Sequence, residues 1–398
     1  MLVQMHMLHN YAPSNLNRDD SGSPKDAIFG SVPRGRISSQ CLKRSIRTSD
    51  IFKEAFAKDG LLGTRTQQLP ELMRLKLLEL QASGEPISEK AIADIVARVP
   101  EIGRKSEEQE KKKKGKGKTS NSSDVGSDGE VEGQAAQEDK TKQLIFIAEK
   151  DEALPLARTL LKIYQGNSQA WVDKKGDINK EVAKLLGDRT PRSVDIAMFG
   201  RMTTSDAFKD IHASVQVAHA LSTNEVKQEY DYFTAMDDLT NQPGASMIGD
   251  IEFNSCTYYK YFNVHWEGLL GNLGNDKEVA HRTVLALLEA AAWAQPSGKR
   301  NGFAHNQLPD FILLEVSAKN LPVSYANAFL KPVRGYSDES LIENSVEQLA
   351  KYVAQLSKTY NLAPQRAYLS VNELPFLKLN VQPSLADLRD WLNKQLPE

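Results

Sequence analysis

Cysteine is nearly missing from this chain of 398 residues: Cys41 and Cys256 are the only two. They are too few for a disulfide framework and form no metal-spaced pair, a usage that fits a reducing compartment, so the cytoplasm is expected. No apolar run approaches the ~20 residues that a spanning helix needs, and the opening MLVQMHMLHNY has no basic lead. No membrane partner is expected. The formal net charge of −2 removes any global reason to expect a polyanion, so a nucleic-acid partner has to be argued from local clustering. The seven histidines are scattered, none in ligand spacing with cysteine or carboxylate, and neither metal nor cofactor is expected. His219 alternates with valines and reads as a core residue.

Against that neutral background, RGRISSQCLKRSIRTS gathers Arg34, Arg36, Lys43, Arg44 and Arg47 without a single acid. With Ser38 as N-cap and about 100° per residue, Gln40, Lys43, Arg44 and Arg47 fall on one stripe. Leu42 and Ile46 fall opposite and can be buried. The preceding loop, rich in Gly, Pro, Ser and Asn, adds Arg18 and Lys25. From Ser14 to Ser49 seven Lys/Arg stand against three Asp, a local excess of +4. A cationic helix face, a helix N-terminus and a basic loop suit a phosphate backbone. The alternative is an ordinary amphipathic helix beside a solvated loop. A second basic loop, QPSGKRNGFAHN, carries Lys299 and Arg300. It lacks the spacing of a phosphate-binding P-loop and reads as either a further phosphate contact or a plain turn.

Hydrophobic periodicity predicts an α+β protein. LVQMHML, SVDIAMFG, ASVQVAHALS, TYYKYFNVHW and FILLEVSA read as strands; Arg36–Ser49 and DKEVAHRTVLALLEAAAWA read as helices. Setting insertions aside, the order is βαββαβ, a ferredoxin-like sheet of the RNA-recognition type. The predicted parts are a palm over 1–51, a helical insertion over 52–190, palm again over 191–224, a projecting hairpin over 225–252, and palm with C-terminal helices over 253–398. Within the insertion, 105–142 has almost nothing to bury and is expected to stay disordered. The hairpin carries Tyr230, Tyr232 and Phe233 around an Asn-Gln-Pro-Gly turn signal; exposed apolar residues there ask for a partner.

The string PSNLNRDDSGSPKDAIFG…RGRISSQCLKRSIR resembles the start of the CasC family, the crRNA-binding backbone subunit of the type I-E CRISPR surveillance complex, Cascade. DIAMFGRMTTS, VAHALSTNEV…DYFTAMDDL, GDIEFNSCTYYKYFNV and PVSYANAFLKPV follow in the same order. The resemblance implies an RNA-recognition-like palm with helical fingers and a β-hairpin thumb, polymerising along crRNA and presenting its bases to target DNA. It implies crRNA-backbone contacts from Arg18, Lys25, Ser38, Gln40, Lys43, Arg44 and Arg47, with Arg34 and Arg36 joining on charge. Met202 would be an apolar wedge beside a displaced base, and Tyr232 and Phe233 would stack on nucleic acid. Implied partners are other copies of itself and the large, small, crRNA-end-binding and crRNA-processing subunits of Cascade.

Two other readings compete. Asp19, Asp20 and Asp26 lie in the basic loop, and the backbone subunits of type III complexes are thought to cut RNA with a loop aspartate. The resemblance is to a family that leaves cleavage to a separate nuclease, so no enzymatic activity is expected. A free-standing RNA-binding regulator would share the basic helix but would not need an aromatic hairpin.

Overall fold

The computed structural model describes residues 1–102, 144–186, 190–203, 205, 207–236, 243–335 and 340–397, without the side chains of 235–236 and 243–247. The stretch expected to be disordered, 105–142, lies outside the described residues. Met1–Ala55, Val215–Gly268 and Lys277–Glu398 form one compact unit; Phe56–Ser214 with Leu269–Asp276 form the other. The second unit therefore reaches Ser214, beyond the limit of 190 expected for the insertion.

The first unit is built on an antiparallel sheet. Its strands are β1 (Leu2–Ser14), β2 (Asp26–Phe29), β3 (Val32–Ile37), β6 (Val215–Val217), β7 (Ala220–Ser222), β8 (Glu229–Met236), β9 (Pro243–His265), β10 (Phe311–Ser317) and β11 (Gln365–Ser370). The order across the sheet is β11-β10-β1-β9-β7-β3-β2, with β6 and β8 also paired to β9. Its centre, β10-β1-β9-β7, brings together the fourth, first, third and second strands of the βαββαβ pattern, the ferredoxin-like arrangement. Leu2 through His9 are all buried, so β1 is covered on both faces. Helix α1 (Ser39–Thr48) follows β3 and packs on the helix Lys277–Trp293. The face bearing Leu8, Tyr259 and Phe311 packs against Leu349 and Val353 of the helix Leu341–Tyr360.

That buried face contains a charge. The Glu315 carboxylate accepts from Tyr325 Oη at 2.9 and 3.0 Å, Arg366 Nε at 2.5 Å and Gln4 Nε2 at 3.3 Å. Burying a carboxylate is tolerable only with such a full set of partners.

The second unit pairs β4 (Gly63–Thr66) with β5 (Ile145–Ala148) and packs helices Leu69–Ala82, Glu89–Arg98 and Leu154–Gly166 around Met73, Leu77, Ile95, Leu160 and Trp171. Ser88 caps the helix Glu89–Arg98, its side chain accepting from the N–H of Ala91.

Three sequence expectations are corrected. SVDIAMFG is not a strand: Val194–Phe199 is a helix. Val194 to Met198 are all buried, which erases the distinction between periods of two and 3.6. The Asp195 carboxylate accepts from Ser193 Oγ and from the N–H of Gly63 and Ile196, fixing the turn. ASVQVAHALS is two short strands broken at 218–219, and the break leaves His219 exposed rather than in the core. Finally, β11 extends the sheet where no strand was expected.

Arg201 holds the second unit's 201–211 turn. It donates to both oxygens of Glu152, at 2.6 and 2.8 Å, and to the carbonyls of Phe146 and Lys209, with its guanidinium 5.5 Å from the Phe208 ring. Arg201→Ala would strand a buried carboxylate, so a loss of about 3–5 kcal/mol is expected in denaturant unfolding.

Candidate nucleic-acid interface

The basic loop is held beside α1 by neutral groups. The Lys25 N–H donates to the Asn17 carbonyl and the Arg36 N–H to the Lys25 carbonyl. The side-chain oxygen of buried Asn17 accepts from the Ser38 N–H at 2.8 Å. Ser38 itself caps α1, its Oγ accepting from the Cys41 N–H at 3.2 Å. These bonds set Arg18 and Lys25 against the N-terminal end of α1. Leu42 and Ile46 anchor the helix, leaving Gln40 and Arg44 exposed and Lys43 and Arg47 half-buried on one stripe. Burial lowers the pKa of Lys43. A partly desolvated ammonium is attracted to an anion more strongly than a hydrated one.

The second basic loop joins the same surface. Gly298 lies so close to the carbonyls of Asn15 and Leu16 that a Cβ there would come within 2.4–2.5 Å of their oxygens. No side chain fits, which explains the glycine. Lys299 and Arg300 are exposed, Lys299 with φ of 47°, and Arg300 donates to Asn306 Oδ1 at 2.9 and 3.1 Å. A buried network fixes both ends of this loop. Tyr11 Oη donates to Gln295 Oε1 at 2.6 Å, and Gln295 Nε2 donates to the Gln307 carbonyl at 2.7 Å. His9 Nε2 also meets that carbonyl, at 2.9 Å, so Nε2 carries the proton and Nδ1 is an acceptor. Lys260 Nζ lies 2.8 Å from that Nδ1 and 3.0 Å from Tyr11 Oη. A neutral amine has two N–H groups for those two acceptors, and burial brings the Lys260 pKa down to about 7.

The hairpin of β8 with the first part of β9 also springs from this region. Its base is tied down by Phe253, whose ring lies 5.8 Å from that of Phe303, and by the Glu252 carbonyl, which accepts from Asn15 Nδ2 at 2.9 Å. Tyr230 and Tyr232 share one face with Ile248, Tyr232 being 67% exposed. Phe233 lies on the opposite face, packed over Gly249. Tyr232 and Phe233 therefore do not form a single platform. From Gln228 to Tyr259 there are six acids (Glu229, Asp231, Asp237, Asp238, Asp250, Glu252) and no Lys or Arg. Such a hairpin can meet a nucleic acid by its ring faces but not by gripping phosphates.

Arg34 requires a correction. Expected at the interface, it is fully buried, donating to the carbonyls of Ser222, Thr223, Phe329 and Leu330. Its charge supports the fold and cannot reach a strand outside. Arg36 is half-buried: Nε donates to the Asp26 carbonyl at 3.0 Å, and Nη1 lies 3.4 Å from His219 Nδ1. Met202 belongs to the second unit, where it is 92% exposed directly after buried Arg201. Of the loop acids, Asp19 is held within its own turn, Oδ1 accepting from Ser21 N–H, Ser21 Oγ and Ser23 N–H. Among the described residues no group of three His, Cys, Asp or Glu is placed to hold a metal. No described helix is long and apolar enough to cross a membrane. Sequence reasoning missed Asn15, Asn17 and Lys260; the one available signal was a lone charge in the apolar run TYYKYF.

Fold and surface together define an α+β protein with a ferredoxin-like, RNA-recognition-type palm and a β-hairpin beside a cationic ridge. The family model Cas_CT1975, described as CT1975-like protein, matches residues 3–391, so this chain belongs to the CT1975-like family. A solved structure described as "CRISPR RNA-guided surveillance complex, pre-nicking" is similar with TM-score 0.73 and 23% identity, over 99% of each chain. Another, "CRISPR RNA-guided surveillance complex", is similar with TM-score 0.57 and 21% identity, again over 99% of each. No curated protein matches.

His219, 3.4 Å from Arg36 Nη1, is expected to give the ridge a pH dependence. Burial, then Arg36 and Lys25, lower its pKa from 6.5, so it is neutral at pH 7. A bound polyanion would offset the two cations and raise that pKa, so binding takes up a proton. Heparin affinity, followed by fluorescence anisotropy, should rise as pH falls from 7.5 to 5.5, and His219→Gln should flatten that rise.

Proposed function

We propose that this protein is a non-catalytic, crRNA-binding backbone subunit of a CRISPR RNA-guided surveillance complex of type I-E, copies of it lining up along one crRNA. The observation that carries this reading is the joined surface of α1, the Arg18–Lys25 loop and the Lys299–Arg300 loop, with an aromatic hairpin rising from its edge. Phosphate contacts fix a strand without reading it, which suits a subunit that must accept any spacer. The solved structures similar in fold are described as CRISPR RNA-guided surveillance complexes, and the family model carries the Cas label. Bases held away from the ridge would be left to pair with target DNA, and the remaining Cascade subunits would cap and flank the array. Met202 would act as an exposed apolar wedge from the second unit.

The stripe on α1 gives the direct test. Lys43→Glu, Arg44→Glu and Arg47→Glu together should abolish RNA binding at 150 mM salt while leaving the thermal unfolding curve intact. For single substitutions to Ala, the dependence of log affinity on log salt should flatten by about 0.7 per lost phosphate contact. A triple variant that still coats RNA would sink the proposal.

The absence of catalysis is tested separately. Asp19 is engaged by three donors of its own turn, which leaves it poorly placed to bind a metal. Purified protein with magnesium should leave end-labelled RNA intact on a denaturing gel, and Asp19→Ala and Asp26→Ala should change nothing. Cleavage lost in either variant would favour a ribonuclease instead.

A further inference from the structure

Resting on the RNA-binding reading, we infer that Asn15 is a positioning residue that couples the phosphate-binding loop to the aromatic hairpin, so that a held strand sets the hairpin for the next copy. Asn15 is fully buried where three segments meet. Its Nδ2 donates to the Gly22 carbonyl at 2.9 Å, inside the Arg18–Lys25 loop, and to the Glu252 carbonyl at 2.9 Å, at the base of the hairpin. Its own carbonyl and that of Leu16 abut Gly298, next to Lys299 and Arg300. An amide NH2 can donate to two carbonyls at once without adding a charge, and at this reach asparagine is the side chain that supplies one. An aspartate there would turn a carboxylate oxygen toward two carbonyl oxygens.

The junction also has bonds left to make. Asn15 Oδ1, Ser14 Oγ and one carboxylate oxygen of Glu252 are buried without a hydrogen-bond partner. Buried polar atoms of this kind favour whichever arrangement pairs them. A loop drawn in by a phosphate can therefore gain bonds at the junction, and the gain is shared with the hairpin through Nδ2. That is a differential interaction between two states, which coupling requires. The structure gives Asn15 no route to the strand itself, so it acts through the loop and the hairpin.

The test separates holding one strand from building an array. Wild type, Asn15→Ala and Asn15→Asp are titrated with a single-stranded RNA that holds only one copy, and with a long one that holds many. Both variants should bind the short RNA within about threefold of wild type, yet lose tenfold or more in affinity and all cooperativity on the long RNA. Equal losses on both RNAs would make Asn15 merely a support of the loop; unchanged binding to both would remove any role. Either outcome overturns the inference. Should the variants fail to fold, hydrogen–deuterium exchange on wild type decides. Short RNA should slow exchange in both 15–25 and the hairpin strands 229–234 and 248–253, and protection confined to 15–49 would overturn the coupling. Wild type that binds neither RNA would refute the RNA-binding reading rather than this one.

Discussion

Positive charge can be concentrated on one surface only if something other than negative charge holds the concentration together. An acid placed among the lysines and arginines would stabilise them but would also neutralise the surface. Here much of the task falls to uncharged donors and acceptors: Asn17 to Ser38, Asn15 to Gly22, backbone pairs between Lys25 and its neighbours, and a glycine pressed onto two carbonyls, with the Asp19 carboxylate confined to its own turn. Where a cation had to be taken inside, as at Arg34, main-chain carbonyls receive it. Carbonyl dipoles satisfy a guanidinium without cancelling its field beyond the first few ångströms. These uncharged supports hold the ridge without cancelling its charge.

The same logic runs beneath the surface. Lys260, the only charged residue in its stretch of β9, meets an imidazole nitrogen and a phenol, and burial brings its pKa down to about 7. Two buried charges elsewhere are met by an opposite charge, Glu315 by Arg366 and Arg201 by Glu152.

Much of this was legible in the chain itself. Strong periodicity marked α1, its cap and its stripe, because a buried Leu42–Ile46 edge opposite cations leaves no other solution. The βαββαβ order was readable because its helices repeat near 3.6 and its strands near two. Legibility failed where burial was total: Val194 to Met198 are buried on every side, Asp195 included, so a helix passed for a strand. It failed again where a two-residue break at 218–219 turned His219 outward, since alternation assumes an unbroken pleat. It also failed for single contacts. Arg34 and Arg36 are two residues apart and share one face of β3, yet Arg34 is enclosed by the carbonyls of Ser222, Thr223, Phe329 and Leu330 while Arg36 is half-buried, a difference made by segments distant in sequence. Asn15 and Asn17 looked like ordinary loop residues because their partners, Glu252 and Ser38, are distant in sequence or meet only when the loop folds back.

One feature of the sheet reaches further than its length suggests. β9 is a single strand of 23 residues that begins in the projecting hairpin and runs on through the centre of the sheet, between β1 and β7. Because each residue of a strand advances about 3.3 Å, the outer part behaves as a stiff spar clamped at one end rather than as a flap on a hinge. Its tilt is set by the twist of the sheet together with the bonds at its base, Asn15 to Glu252 among them. In an array of such copies, the repeat distance would be a dimension of the polypeptide, a built-in gauge against which any strand is measured regardless of its letters.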